Sequence, residues 1–240
     1  MTPSSSSRVI CITGATGGLG RELVQTFLAQ GDLVVAGVRG QHSFQPEDRL
    51  WPIPLEVTEA AQVEAAFEAI HEKLGRLDVL INNAGVTRDG LITQLADKEW
   101  DEVINVNLRG AYLCSRAALS ALTAGRAGHI INIASFAARK GHAGQSNYVA
   151  AKAGLLGLTQ ALAKELGSQG VQVNAVLPGV LPTRMTAHLS PARLAALAAE
   201  NVLGKLNDPA EVARFIWFLT TLKNVSGQVF QLDSRVSRWT

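Results

Sequence analysis

Tyr148 and Lys152 stand four residues apart in Asn147–Ser168, whose apolar spacing predicts a helix, so both side chains leave one face. A phenol can give its proton to a carbonyl oxygen. A neighbouring ammonium favours the phenolate and is expected to lower the tyrosine pKa from its usual value of about 10, towards neutral pH. The lysine can also hold the ribose hydroxyls of a cofactor. By itself such a pair is equally compatible with two exposed side chains. Ser135 lies thirteen residues before Tyr148, at the end of the predicted strand Gly128–Ser135, where a parallel sheet presents its ligands. Its hydroxyl can bond the same carbonyl oxygen and stabilise charge developing there. Asn107, in Ile104-Asn105-Val106-Asn107-Leu108, is an amide inside a predicted helix, where it is mildly unfavourable. It is either a tolerated polar residue or the anchor of a water linking Lys152 to solvent.

A second constellation lies near the start. Thr13-Gly14-Ala15-Thr16-Gly17-Gly18-Leu19-Gly20 joins a short β-rich run, Arg8–Thr13, to a helical pattern, Gly18–Gln30. Glycines at 14, 18 and 20 let the backbone turn sharply and approach a pyrophosphate, and the following helix offers that anion its free N–H groups. Glycines also make plain tight turns. The strand-loop-helix context is what a dinucleotide site requires. The next strand, Leu33–Val38, ends at Arg39 with no acid to hold ribose hydroxyls. Arg39 is therefore either a solvated surface charge or the partner of a 2′-phosphate, which its guanidinium fork suits. The second choice selects NADPH.

Strands and helices must alternate to hold these groups at one edge. Further strands are predicted at Trp51–Val57, Leu77–Ile81, Val171–Leu177 and Gly227–Leu232, and further helices at Glu59–Leu74, Lys98–Thr123 and Pro209–Leu222. Pro52 and Pro54 fit a full ladder poorly. Strands apolar on both faces call for a single doubly wound α/β (Rossmann) parallel sheet of about seven strands, with helices on both faces. The crossover from Arg39 to Leu50 is too short for a full helix. Residues 1–7 form a flexible polar tail, and 8–240 one dinucleotide-binding catalytic domain. A substrate lid is expected around 181–207, with Met185, Leu189, Leu194, Leu197 and Leu203 facing substrate. A plain helix packed on the body fits the same pattern.

Composition narrows the class. Hydrophobic residues make up 47% and charged residues 18%, which excludes disorder, and the net charge is only +2 with the basic residues scattered, which argues against a nucleic-acid partner. No apolar run approaches the roughly 18 residues of a membrane span. Cys11 and Cys114 are too few for a disulfide framework and read as buried in a reduced, cytoplasmic compartment. The five histidines (His42, His71, His129, His142, His188) lack metal-ligand spacing, so no metal is expected.

From Arg8 to Leu232 the chain resembles the short-chain dehydrogenase/reductase family. Thr13–Gly20 matches TGxxxGxG, Asn82-Asn83-Ala84-Gly85 matches NNAG, and Asn107, Ser135, Tyr148 and Lys152 match its catalytic tetrad. Pro178-Gly179 with Thr183 matches PGxxxT. Within the family it is most similar to 3-oxoacyl-[acyl-carrier-protein] reductases, through Asn82–Gly90, Gln145–Gly157 and Val171–Gly179. The resemblance implies NADPH-dependent reduction of a 3-oxoacyl thioester in acyl-chain biosynthesis by a cytoplasmic homotetramer. Tyr148 would then be the general acid, Ser135 the carbonyl polariser, Lys152 the pKa tuner and ribose ligand, and Asn107 the water holder. Thr13, Gly14, Thr16, Gly18, Leu19, Gly20, Arg39, Glu56, Val57, Asn83, Ala84, Gly85, Pro178, Gly179 and Thr183 would contact the cofactor with Tyr148 and Lys152. Reduction of a CoA thioester or a small ketone, or a non-catalytic partner subunit, are the alternatives.

The chain departs from the family pattern in four places. The glycine loop lacks a basic residue, Glu56 replaces an aspartate, and Asp233-Ser234-Arg235 replaces D-G-G. Of two basic positions that dock an acyl carrier protein, one is Arg126 and the other is the uncharged Gln169. Phosphate selection therefore rests on Arg39. Arg39→Asp is expected to lower the NADPH-to-NADH preference by about tenfold or more, since one charge-assisted fork is lost and a like charge gained. Paired kcat/KM measurements with the two nucleotides check this.

Overall fold

The computed structural model describes residues 7–125 and 127–236. Seven strands form one sheet: β1 (Val9–Ile12), β2 (Leu33–Val38), β3 (Leu50–Pro54), β4 (Val79–Asn82), β5 (Gly128–Ile133), β6 (Val171–Leu177) and β7 (Val229–Gln231). Their order is β3-β2-β1-β4-β5-β6-β7, and every neighbouring pair is parallel. The order reverses between β1 and β4, so a crevice must open at their carboxyl ends.

Among the described residues the α-helices are α1 (Gly18–Ala29), α2 (Ala60–Leu74), α3 (Asp97–Ile104), α4 (Gly110–Ala124), α5 (Ala137–Lys140), α6 (Ser146–Leu166), α7 (Pro191–Ala199) and α8 (Pro209–Leu219). Successive strand residues point to opposite faces, so β1 feeds two cores. Val9 and Cys11 pack with Phe67 and Ile70 of α2 and Leu113 and Ala118 of α4. Ile10 and Ile12 pack with Leu23 and Phe27 of α1 and Ile216 of α8. Each such large side chain, fully buried, contributes about 1.5–3 kcal/mol. The doubly wound sheet is thus the one the alternating pattern requires.

Differences from the sequence expectations have local causes. β3 stops at Pro54 rather than Val57 and lies at the sheet edge, where its prolines interrupt only one ladder. The segment 39–50 holds no helix, as its length demands, and contributes only an isolated bridge, Glu47 to Leu50. The expected continuous helix Lys98–Thr123 is divided by a π-helical turn, Asn105–Arg109, which widens the helix where Asn107 turns inward. Ser7 is held by its carbonyl, which accepts from Arg76 Nη2 at 2.6 Å; the other residues assigned to the tail lie outside the described ones.

Several polar side chains inside the sheet and its covering helices are linked. Asn82 Nδ2 donates to Asn132 Oδ1 at 2.9 Å and to Ser115 Oγ at 3.1 Å, and Asn132 Nδ2 donates to Thr159 Oγ1 at 2.9 Å. This relay ties β4 and β5 to α4 and α6 in one register. Cys11 and Cys114 are buried free thiols. Burial pushes Cys114 up to about 12 and Cys11 higher still, so neither is a reactive thiolate. Among the described residues, no helix is long and apolar enough to cross a membrane and no group of three or more His, Cys, Asp or Glu is arranged to hold a metal.

His129 sits at the amino end of β5 with 6% exposure. Gln172 fixes its tautomer. The Gln172 Oε1 accepts from Val225 N at 3.0 Å, so its Nε2 faces His129 Nε2 at 3.3 Å as the donor. The imidazole proton then rests on Nδ1, which has no partner among the described residues. Burial, with Arg8 adding to it and Asp78 opposing, lowers the His129 pKa from 6.5 to about 4. The unfolded chain therefore binds the extra proton first. Stability from the neutral ring is complete above about pH 6.5 and is lost as pH falls towards about 4. His129→Gln should flatten this limb, checked by urea midpoints of both proteins at pH 7, 5.5 and 4.5.

Candidate active site

The loop after β1 is glycine-rich because its packing leaves no room for side chains. Gly14 has φ +61°, and a Cβ there would lie 2.8 Å from Ala84 Cα. A Cβ on Gly20 would lie 2.4 Å from the Gly14 carbonyl oxygen. α1 then starts at Gly18 behind Gly17, with no side-chain cap and no acidic residue in its first turn. Its leading N–H groups and dipole are left for an anion. Thr13, 1% exposed, lies beneath this loop. Its hydroxyl oxygen accepts from Asn83 N and Ala84 N, both at 3.0 Å, while Asn83 Nδ2 donates to the Thr13 and Gly14 carbonyls at 3.0 Å. The loops after β1 and β4 are thereby one unit.

A cleft of about 1040 Å³ opens at these strand ends. It is lined by Gly14, Thr16, Gly18, Leu19 and Gly20 from the first loop and by Arg39, Glu56 and Val57 from the ends of β2 and β3. Asn83, Ala84 and Gly85 follow β4. Ser135 lines it from just past β5, which ends at Ile133 rather than at Ser135, Tyr148 and Lys152 line it from α6, and Pro178, Gly179 and Thr183 from the segment after β6. Of the site residues nominated by sequence, Thr13 and Asn107 alone are set behind the wall. Arg39 is largely exposed and its Nη1 lies 3.4 Å from Glu56 Oε2, a loose pair that an incoming anion can open. Glu56 is itself oriented by Thr58, whose N and Oγ1 donate to its Oε1 at 3.3 and 3.1 Å.

Asn107 works through the wall. Its Oδ1 accepts from Val86 N at 2.9 Å and its Nδ2 donates to Val86 O at 2.8 Å, so both ends of the amide clamp the loop after β4. A Cβ on Gly85 would lie 2.9 Å from Asn107 Oδ1 and 3.7 Å from Lys152 Nζ, so a glycine is needed between them. Lys152 is buried, and its Nζ donates to the Ile133 carbonyl at 2.7 Å. Burial lowers its pKa from 10.5 to about 8.

The expected lowering of the Tyr148 pKa is not found. Burial raises it, the Asp89 carboxylate adds to the rise, and the Ser135 hydroxyl opposes it. The ammonium lies 5.8 Å from the phenol ring centroid and is turned towards Ile133, so desolvation of the phenolate wins. The phenol consequently carries its proton at neutral pH.

The sequence reading missed several lining residues. Asp89, held by Gln145 Nε2 at 3.0 Å, lies beside Tyr148. His142, Arg184, Arg193, Phe136 and Arg235 also line the cleft. Asp89 and Gln145 fall within the family-like stretches and were visible there without a role; the other five carry no spacing signal. α7 is a helix capped by Ser190 with only Leu197 buried. Met185, Leu189 and Leu197 reach the cleft, whereas Leu194 and Leu203 do not.

A parallel sheet with this strand order, a glycine loop at its switch point and a serine, tyrosine and lysine on one cleft define a dinucleotide-dependent oxidoreductase architecture. The glycine packing, the uncapped helix start and the cleft volume fit a nicotinamide dinucleotide. The family model described as short chain dehydrogenase matches residues 8–194. The 3-oxoacyl-[acyl-carrier-protein] reductase of Vibrio harveyi is 37% identical over 220 residues, covering 89% of this chain and 90% of its own. Its counterpart in Thermotoga maritima is 36% identical over 236 residues, 94% and 96% of the two chains. The ligand-free aldohexose dehydrogenase of Thermoplasma acidophilum superposes with a TM-score of 0.87 at 28% identity, over 98% of this chain and 97% of that one. The chain belongs to the short-chain dehydrogenase family, and is an oxidoreductase of the kind that uses a nicotinamide cofactor.

Asn107→Ala should leave the part-buried Val86 N–H and C=O without this partner, at a cost of about 0.5–1.5 kcal/mol for each bond lost. A lowered urea midpoint with unchanged m-value checks it; an unchanged midpoint would contradict the clamp.

Proposed function

We propose that the protein reduces the ketone of a 3-oxoacyl thioester to the 3-hydroxyacyl thioester with NADPH, in acyl-chain biosynthesis. The observation that carries this is the shared cleft of Ser135, Tyr148 and Lys152 with the glycine loop and Arg39. The relatives named 3-oxoacyl-[acyl-carrier-protein] reductases, aligned over nine-tenths of the chain, support the substrate class. Arg39, with no acid at the end of β2, supports NADPH over NADH. Gly14, Thr16, Gly18, Leu19, Gly20, Glu56, Val57, Asn83 through Gly85, Pro178, Gly179 and Thr183 would hold it, with Thr13 setting the loop from behind.

When bound, the cofactor supplies hydride to the C3 carbonyl carbon. Tyr148 gives its phenolic proton to the carbonyl oxygen; its raised pKa keeps that proton in place until charge develops. Ser135 donates a hydrogen bond to the same oxygen. Lys152, with a pKa near 8, can pass a proton towards the phenol and hold ribose hydroxyls. Asn107 acts as a positioning residue on the loop after β4, and the water-holding role that the resemblance implies belongs to the same proposal. Met185, Leu189 and Leu197 would cover the acyl chain as a lid within 181–207. The Arg126 contact to an acyl carrier protein falls outside the described residues and is carried by the family resemblance alone, as are the homotetramer and the cytoplasmic setting.

NADPH oxidation is measured with a 3-oxoacyl carrier-protein substrate, its CoA analogue and simple ketones, and NADP+ reduction is measured with aldoses. Turnover of the thioesters is expected to exceed that of the small carbonyls. The aldohexose dehydrogenase likeness makes aldoses the sharpest alternative, and preference for them would overturn the thioester reading. Tyr148→Phe should cut turnover by about 10²–10⁴ while NADPH binding holds. Unchanged turnover would remove Tyr148 as the acid.

A further inference from the structure

The short segment after β7, Asp233-Ser234-Arg235, has no role in the scheme above. Arg235 lines the cleft, although its side chain is only 8% exposed. Its guanidinium carbon lies over the Phe136 ring, 3.9 Å from the centroid. One edge meets Asp233, with Nε 2.7 Å from Oδ2 and Nη2 on the same oxygen. On the other side Nη1 reaches Glu200 Oε2 at 3.8 Å, and Lys140 Nζ meets that same oxygen at 3.8 Å. Gln231 Nε2 fastens the arrangement by donating to Asp233 Oδ1 at 2.7 Å and to the Arg235 carbonyl at 2.8 Å.

Each partner belongs to a different wall. Phe136 follows Ser135 in sequence. Glu200 closes α7, and the neighbouring Val202 N and Leu203 N donate to the Ser234 carbonyl and Oγ, both at 3.2 Å. Asp233 abuts Gly179, where a Cβ would lie 2.7 Å from Asp233 Cβ. Moving Arg235 therefore moves the end of α7, the residue beside Ser135 and the segment beside Gly179 together. Arginine suits this position because a planar guanidinium can stack and bind carboxylates at its edges at once; an ammonium cannot.

We propose that Arg235 is a positioning residue for substrate, latching the trailing end of α7 to Phe136 and Asp233 and so fixing the width of the cleft at the acyl end. This deepens the thioester reading and rests on the acyl chain entering beneath α7.

The test uses the full chain as wild type, Arg235→Ala, Arg235→Lys and Glu200→Ala. It measures KM and kcat for a 3-oxoacyl thioester, the NADPH Kd by fluorescence, and amide hydrogen exchange over residues 191–203. Arg235→Ala is expected to raise KM about tenfold, with kcat and NADPH Kd each changed by less than about threefold, and to speed exchange over 191–203. Arg235→Lys should restore less than half of the KM loss. Unchanged KM, or a KM rise matched by an equal loss of NADPH binding, overturns the proposal. If Arg235→Ala does not fold, Glu200→Ala removes only the α7 arm; it must then raise both KM and exchange, and no change in either overturns the latch. A wild type inactive on every thioester sinks the substrate reading instead. The exchange comparison then decides the latch alone, and equal exchange refutes it.

Discussion

A single buried hydroxyl holds the two halves of the site together. Thr13 directly follows β1, and its oxygen accepts the N–H groups of Asn83 and Ala84 from the loop after β4. Asn83 returns two hydrogen bonds to the carbonyls of Thr13 and Gly14. Those two strands flank the point where strand order reverses, so their loops would otherwise diverge. With them joined, the glycine loop presents the start of α1 to one side of the cleft and Gly85 presents Lys152 to the other. The close approach of Gly14 to Ala84 follows directly from this bonding.

The electrostatics of the site follow from burial more than from pairing. Lys152 is taken out of water and its pKa falls to about 8, while Tyr148 is pushed the opposite way. Both shifts favour the uncharged group, which is the signature of desolvation. The Ile133 carbonyl receives the ammonium and keeps it from acting fully on the phenol. A tyrosine that holds its proton and a lysine that can release one suit delivery of a proton to a carbonyl oxygen.

The polar groups within the sheet make this geometry rigid. Asn82, Asn132 and Thr159 form a relay across β4, β5 and α6, and α6 carries Tyr148 and Lys152. A slip of one residue would break every link in that relay and exchange the side chains packed in the two cores. The π-helical turn at Asn105–Arg109 serves the same end from outside, because it lets Asn107 reach the backbone of Val86.

The residues of the chain alone determined the alternation of strands and helices, the glycine loop, the serine-tyrosine-lysine set and the missing acid at the end of β2. These are local properties: periodicity, spacing and residue type are written along the chain. The direction of the Tyr148 shift, the inward turn of Asn107 and the division of the helix around it were decided by tertiary structure. Each depends on groups distant in sequence, such as Asp89, Val86 and Ile133, and on how much water burial removes. Arg235 shows the difference most plainly. In sequence it is one basic residue in a departed D-G-G pattern. Folded, it lies between Phe136, Glu200 and Asp233, groups separated by up to a hundred residues or so along the chain.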